Sequence, residues 1–194
     1  WTLLLAWMSA VAAAQRRDSD RTESAVTAAA AAFPGWRGTP PLTRARYMFK
    51  LKELMEENFE EMDRTLTREN GKTLDEARGE LRRGIENVEV ATGIPSLLMG
   101  YNLEDVAKDI DCSAVRQPIG VFAAIAPFNF PNMVPLWFLP FAAACGNTFI
   151  LKPSEQVPLS MEMVFQLIDQ AGFPPGVINL VNGDKEAVDA ILDS

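Results

Sequence analysis

Histidine is absent from this sequence. Without it there is no Ser/His or Cys/His nucleophile pair and no imidazole general base. Cysteine is scarce as well: Cys112 and Cys145 are the only two, 33 positions apart and outside any CxxC spacing, which excludes a zinc site. Whatever chemistry the chain carries must use amides, carboxylates, lysine or thiol, and no metal is expected. The glycine fingerprint GxGxxG is also missing, so a standard Rossmann phosphate loop has no support in the sequence. Basic charge is in deficit, with 18 Lys and Arg interspersed among 26 Asp and Glu for a net charge of −8. That balance offers no electrostatic footprint for a phosphate backbone, and nucleic acid is not an expected partner.

The 194 residues, 48% apolar and 23% charged, suit a soluble unit that buries a substantial core. Residues 1–17 stand apart. The opening WTLLLAWMSAVAAA is uncharged and is followed, rather than preceded, by Arg16 and Arg17, the reverse of an export signal. It also falls short of the roughly 20 residues that a membrane span needs, so no membrane is expected. This segment is left unassigned, either an element packing on other parts of a larger fold or a sequence foreign to it.

A helical region is expected over 18–112. Asp18, Ser19 and Asp20 can cap a first helix that runs through SAVTAAAAAF until Pro34 and Gly35 stop it. A second, long helix is expected from Thr43, because Met48, Leu51, Met55, Phe59, Met62 and Leu66 recur at spacings of three and four. Lys52, Glu53, Glu56, Glu57, Glu60 and Glu61 cover its other side as a solvated face. Asn70 and Gly71 end it. Thr73 can cap a third helix with the stripe Leu74, Ala77, Leu81, Ile85, Val88 and Thr92, and the two helices should form an antiparallel pair. Gly79 and Gly84 inside the third helix each cost about 1 kcal/mol relative to alanine, which suggests close approach of another element.

From Ser113 the pattern changes. VFAAIAP (121–127), NTFILKP (147–153) and GVINLVNG (176–183) are near-continuous apolar runs, read as buried strands. Helical segments at 132–145, 158–171 and 185–192 separate or follow them. The expected fold class is therefore α/β: N-terminal helices, then an incomplete parallel doubly wound, Rossmann-like sheet over 113–194. Ser194 falls where a fourth strand would begin. Ligands of such sheets bind at the strands' carboxyl ends, which here read PFNFP, LKPSE and VNGD.

The stretch IAPFNFPNMVPLWFLPFAAACGNTFILKPSEQVPLS is similar to the cofactor-domain signature of the aldehyde dehydrogenase superfamily. RGIENVEVATGIPSLLMG followed by VRQPIGVFAAIAPFNFP resembles the methylmalonate-semialdehyde, CoA-acylating branch, in which Phe occupies a position that is Trp in many other members. The resemblance runs from about Asp20 to the end. It implies a side-chain amide at Asn129 that donates to the oxyanion of a tetrahedral thiohemiacetal, a donor typically worth about 3 to 4 kcal/mol. On the residues alone, Asn129 could equally turn the chain before Pro131. Lys152 and Glu155 are implied to bind the adenosine ribose hydroxyls of NAD, with Ile125, Ala126, Pro127, Phe128 and Ser154 in the same cleft. An acidic residue at the ribose favours NAD over NADP. An isolated KxxE would otherwise be a surface ion pair, and the apolar residues plain core. Arg83 resembles an arginine that receives the substrate carboxylate; otherwise it is a solvated arginine, and Arg82 is the neighbour most easily confused with it. Cys145 is read as buried and unreactive, and Cys112 as an ordinary reduced thiol.

The resemblance implies NAD-dependent oxidation of methylmalonate or malonate semialdehyde through a cysteine thiohemiacetal, with CoA as co-substrate accepting the acyl group. The nucleophile, base, second oxyanion donor and a glycine-rich stretch are expected beyond Ser194, so these residues alone are expected to be inactive. A small-molecule semialdehyde substrate, a homo-oligomer when full length, and a cytoplasmic or, in a eukaryote, mitochondrial matrix location follow from the same resemblance. Two alternatives remain at this point: a partial dinucleotide-binding or subunit-interaction module without activity, and a hydrolytic NAD aldehyde dehydrogenase that does not use CoA.

Overall fold

A computed structural model describes the backbone of residues 2–194 and the side chains of residues 18–194. The packing of segment 1–17, unassigned by sequence, lies outside the described residues. Helix α1 spans Thr2–Gly38 and contains Pro34, so the expected stop at Pro34 and Gly35 does not occur. Proline removes one backbone donor, but Trp36 in the last turn compensates. Its buried indole donates to the Ala143 carbonyl at 2.9 Å, and its ring packs against Tyr47 and Phe173 at centroid distances of 5.5 and 5.9 Å. Burying an aromatic with its N–H satisfied outweighs one missing helical bond.

The long second helix is two helices, α2 (Pro41–Glu57) and α3 (Phe59–Asn70). The break falls at Asn58, whose side-chain amide donates to the Leu54 carbonyl at 2.8 Å. An asparagine that competes for the backbone in this way interrupts the helical ladder. Gly71, at φ 82°, turns the chain out of α3. Helix α4 (Leu74–Thr92) then starts on the Thr73 cap, with Glu76 returning the bond to complete a capping box. One turn, α5 (Ile94–Leu97), follows.

Strands β1 (Tyr101–Ala107) and β2 (Ile110–Ala114) form an exposed antiparallel hairpin within what sequence reading assigned to the helical region. Its register shifts between Leu103 and Ala107, where Asp105 adopts φ 51°. This bulge breaks the period of two by which a strand announces itself.

The second sheet is parallel, in the order β3 (Val121–Ile125), β4 (Thr148–Lys152), β5 (Ile178–Leu180). Only β4 is buried along its whole length. Strand β3, expected to be buried, is an edge strand whose Val121, Phe122 and Ile125 are exposed, because among the described residues it has one neighbour. The expected 132–145 helix is two short helices, α6 (Met133–Leu136) and α7 (Leu139–Ala144). Pro140, lacking an N–H, cannot continue the ladder from the first into the second. Helices α8 (Leu159–Ala171) and α9 (Lys185–Leu192) match their expected segments.

Alternation along β4 covers both sheet faces. Phe149 and Leu151 join a core with Trp36, Met48, Leu81, Leu136 and Val164. Ile150 points the other way, into a smaller cluster with Ala29 of α1, Val181 and Ala187 of α9. Among the described residues no helix is long and apolar enough to cross a membrane.

The two helical glycines differ. A Cβ on Gly84 would sit 2.8 Å from Leu136 Cδ1 and 3.0 Å from Asn132 Oδ1, whereas one on Gly79 would meet nothing within 4 Å. The expected close approach is therefore real at Gly84 and absent at Gly79. Gly84→Ala should destabilise the fold, since overpacking of about 1 to 3 kcal/mol exceeds the gain of about 1 kcal/mol in helix propensity. Gly79→Ala should stabilise it by up to about 1 kcal/mol. Urea unfolding midpoints moving in opposite directions for the two variants would check this; midpoints moving together would refute it.

Candidate functional site

The chain beyond β3 passes through Pro127, Phe128, Asn129, Phe130 and Pro131 before α6, and the α3–α4 turn holds it by its main chain. Asn70 donates its side-chain amide to the Phe128 carbonyl at 2.8 Å. The Lys72 ammonium donates to the Asn129 carbonyl at 3.1 Å, pairs with Glu80, and lies 4.8 Å from the centre of the Phe130 ring. Glu80 Oε1 in turn accepts from the backbone N–H groups of Asn132 and Met133 at 2.9 and 3.1 Å. The Asn129 side-chain amide is exposed and bonds to no described residue.

This loop and one face of α4 enclose a cleft of about 490 Å³ lined by Lys72, Gly79, Glu80, Arg83, Asn129 and Phe130, among others. Asn129 and Arg83, 46 positions apart in sequence, thus share one cavity. Adjacent arginines on α4 have separate fates. Arg82 makes two hydrogen bonds to Glu56, at 2.7 and 3.0 Å, and stacks on Phe59. The Arg83 guanidinium has no carboxylate partner among the described residues. The other cation of the cleft, Lys72, is already neutralised by Glu80.

A second group gathers where β3 and β4 end. Ile125 faces Lys152 in register, and the Ala126 N–H donates to the Lys152 carbonyl at 2.9 Å. The Lys152 side chain is 3% exposed and its ammonium donates to Glu155 Oε2 at 2.9 Å, while the Glu155 side chain is 52% exposed. The pair is therefore anchored in the core at one end and open at the other, unlike a surface ion pair. Glu155 is held below the ordinary carboxylate range, first by its own backbone N–H and then by Lys152. Ser154 is buried and its hydroxyl accepts from the Gln156 N–H at 3.3 Å. Ala126 is buried, whereas Pro127, Phe128 and Ile125 are exposed along this edge. Ile125 is thus not core.

Cys145 follows α7 and precedes β4, so it lies at the amino end of the sheet, away from Asn129. It is half-buried rather than buried, and burial pushes its thiol up while Arg44 opposes the shift. A raised thiol pKa lowers the thiolate fraction on which nucleophilicity depends. Cys112 is exposed and free.

Sequence reading missed Asn70, Lys72 and Glu80. One signal was present: Glu80 sits three residues after Ala77 and four before Gly84, which places a carboxylate on the apolar stripe of α4. A buried acid there requires partners.

Parallel strands with polar groups collected at their carboxyl ends define the class of open α/β proteins that bind ligands at that edge. The family model described as the aldehyde dehydrogenase family matches residues 7–194. The chain belongs to the aldehyde dehydrogenase family. The match begins inside segment 1–17, earlier than Asp20, where the sequence resemblance starts. The chain is 51% identical over 177 residues to a malonate-semialdehyde dehydrogenase of Pseudomonas aeruginosa, covering 91% of this chain and 36% of that protein. Its backbone resembles that of methylmalonate-semialdehyde dehydrogenase from Oceanimonas doudoroffii, with a TM-score of 0.88 and 54% identity over 91% of this chain and 36% of that one. A protein of Sinorhizobium meliloti assigned the same activity and solved in complex with NAD gives a TM-score of 0.87 at 45% identity, with the same coverage. The chain spans about a third of the length of the curated relatives it matches.

Proposed function

We propose that this chain forms part of an NAD-dependent, CoA-acylating dehydrogenase of malonate or methylmalonate semialdehyde. The observation that carries the reading is the shared cleft of Asn129 and Arg83, whose amide and guanidinium have no partner among the described residues. A semialdehyde has a carboxylate at one end and an aldehyde at the other, so it needs a fork of donors and a separate oxyanion donor. Arg83 receives the carboxylate through two parallel hydrogen bonds. Asn129 donates to the aldehyde oxygen as negative charge develops there.

The donor set at the strand ends fits a pair of ribose hydroxyls. Lys152 supplies a donor fixed in the core, and Glu155 supplies an exposed, ionised acceptor. Ile125, Ala126, Pro127, Phe128 and Ser154 border the same edge. NAD, when bound, supplies the hydride acceptor. Glu155 disfavours a 2′-phosphate by like charge, which selects NAD over NADP.

Cys145 lies at the amino end of the sheet, away from Asn129, so it is not the nucleophile of this cleft. Subunits associate through surfaces such as the β1–β2 hairpin, whose Leu103, Val106 and Ile110 are exposed. A cytoplasmic location accords with the free thiols of Cys112 and Cys145.

Glu155→Gln in the full-length enzyme tests the cofactor assignment. NAD affinity should fall about tenfold, the scale of a hydrogen bond to a charged group, while NADP affinity holds or rises. Titration of NADH and NADPH fluorescence reads both. An unchanged preference between the two would remove Glu155 from the ribose site.

A further inference from the structure

We propose that Lys72 and Glu80 are positioning residues for Asn129, a main-chain clamp that aims its amide into the cleft. The inference rests on the reading of Asn129 as the oxyanion donor. Each clamp contact grips backbone and none consumes the amide. Asn70 and Lys72 donate to the successive carbonyls of Phe128 and Asn129, and Glu80 accepts from the N–H groups of Asn132 and Met133. Residues 129–131 are therefore bracketed between two donors on one side and one carboxylate on the other. Holding the main chain on both sides of Asn129 fixes the direction of its Cα–Cβ bond, and the residue lines the cleft.

Burial argues that the pair serves geometry. Lys72 and Glu80 are 11% and 1% exposed at their side chains. Such a buried pair adds little net stability compared with apolar residues of similar volume, because desolvation offsets the attraction. What it provides here is a rigid bridge from α4 to the loop. Oxyanion stabilisation depends on that rigidity, since a donor held in place reorganises little during reaction. Lys72 is also unsuited to bind substrate directly: its ammonium already serves Glu80, the Asn129 carbonyl and the Phe130 ring. Selectivity for the carboxylate stays with Arg83, and Lys72 acts through Asn129.

The test is a double-mutant cycle in the full-length enzyme, with steady-state kinetics on malonate semialdehyde. Lys72→Gln should lower kcat by about 10- to 100-fold, the scale of misplacing a catalytic group by an ångström, while KM changes less than about twofold. Lys72→Arg, which keeps cation and donors, should recover most of kcat. In an Asn129→Ala background, Lys72→Gln should cost less than about threefold, because residues acting as a unit are not additive. Glu80→Gln keeps size and one acceptor while breaking the ion pair, and gives the same pattern if Lys72→Gln folds poorly. Equal losses in both backgrounds, or a raised KM with kcat intact, would overturn the clamp while leaving the oxyanion assignment standing. If Asn129→Ala itself left kcat unchanged, the oxyanion assignment and the clamp would both fall.

Discussion

Asn129→Ala in the full-length enzyme should lower kcat by about two to three orders of magnitude while the semialdehyde KM changes little. That is the loss of about 2.7 to 4 kcal/mol seen when one oxyanion donor is removed. The exposed amide has no bond to lose among the described residues. Phe128 and Asn129 are held through carbonyls, which alanine at 129 leaves in place. Stability should therefore be unaffected, and the defect confined to turnover. Asn129→Asp should be worse still, because a carboxylate offers no donor and repels the developing charge. Stopped-flow measurement of NADH formation checks both variants. An Asn129→Ala enzyme with normal kcat would return the residue to the reading of a plain turn asparagine.

Arg83→Met should change which aldehyde the enzyme prefers. Hydrogen bonds to a charged group are worth about 1.5 to 3 kcal/mol, so losing a bidentate fork should reduce kcat/KM for malonate semialdehyde by about a hundredfold. Propanal, which lacks the carboxylate, should lose less than about threefold on the same scale. The ratio of the two is the informative number, because it cancels any general damage to the fold. Arg82→Met serves as the control: it removes the hydrogen bonds to Glu56 on the helix surface, worth up to about 1 kcal/mol, and should leave the ratio alone. If Arg82 rather than Arg83 controlled the ratio, the cleft assignment would be wrong.

Periodicity revealed the elements whose packing is regular. The α4 stripe from Ala77 to Val88 with its Thr73 cap, the unbroken apolar run of β4, and α8 and α9 were legible, whereas Leu74 and Thr92 at the ends of the expected stripe are not buried. The hairpin was not, since the bulge at Asp105 shifts its alternation. Nor was the break at Asn58, where one side chain captures one carbonyl. At Pro34 a local stop signal lost to a long-range contact, Trp36 on Ala143, 107 residues away. The site divides in the same way. Asn129, Lys152 and Glu155 came from a recognisable stretch of sequence. The cleft that Arg83 and Asn129 share, and the contacts of Lys72 and Glu80 with the loop, exist only once α4 lies against the β3–α6 connection.

The proposed role of this chain is to contribute the carboxylate and oxyanion contacts of a CoA-acylating semialdehyde dehydrogenase. It is tested most directly by supplying the full-length enzyme with NAD and malonate semialdehyde, with and without CoA, and measuring both NADH and the acyl product. NADH formation should need the substrate carboxylate, and an acyl-CoA should be the product when CoA is present. Equal turnover of propanal, or release of free acid regardless of CoA, would contradict it.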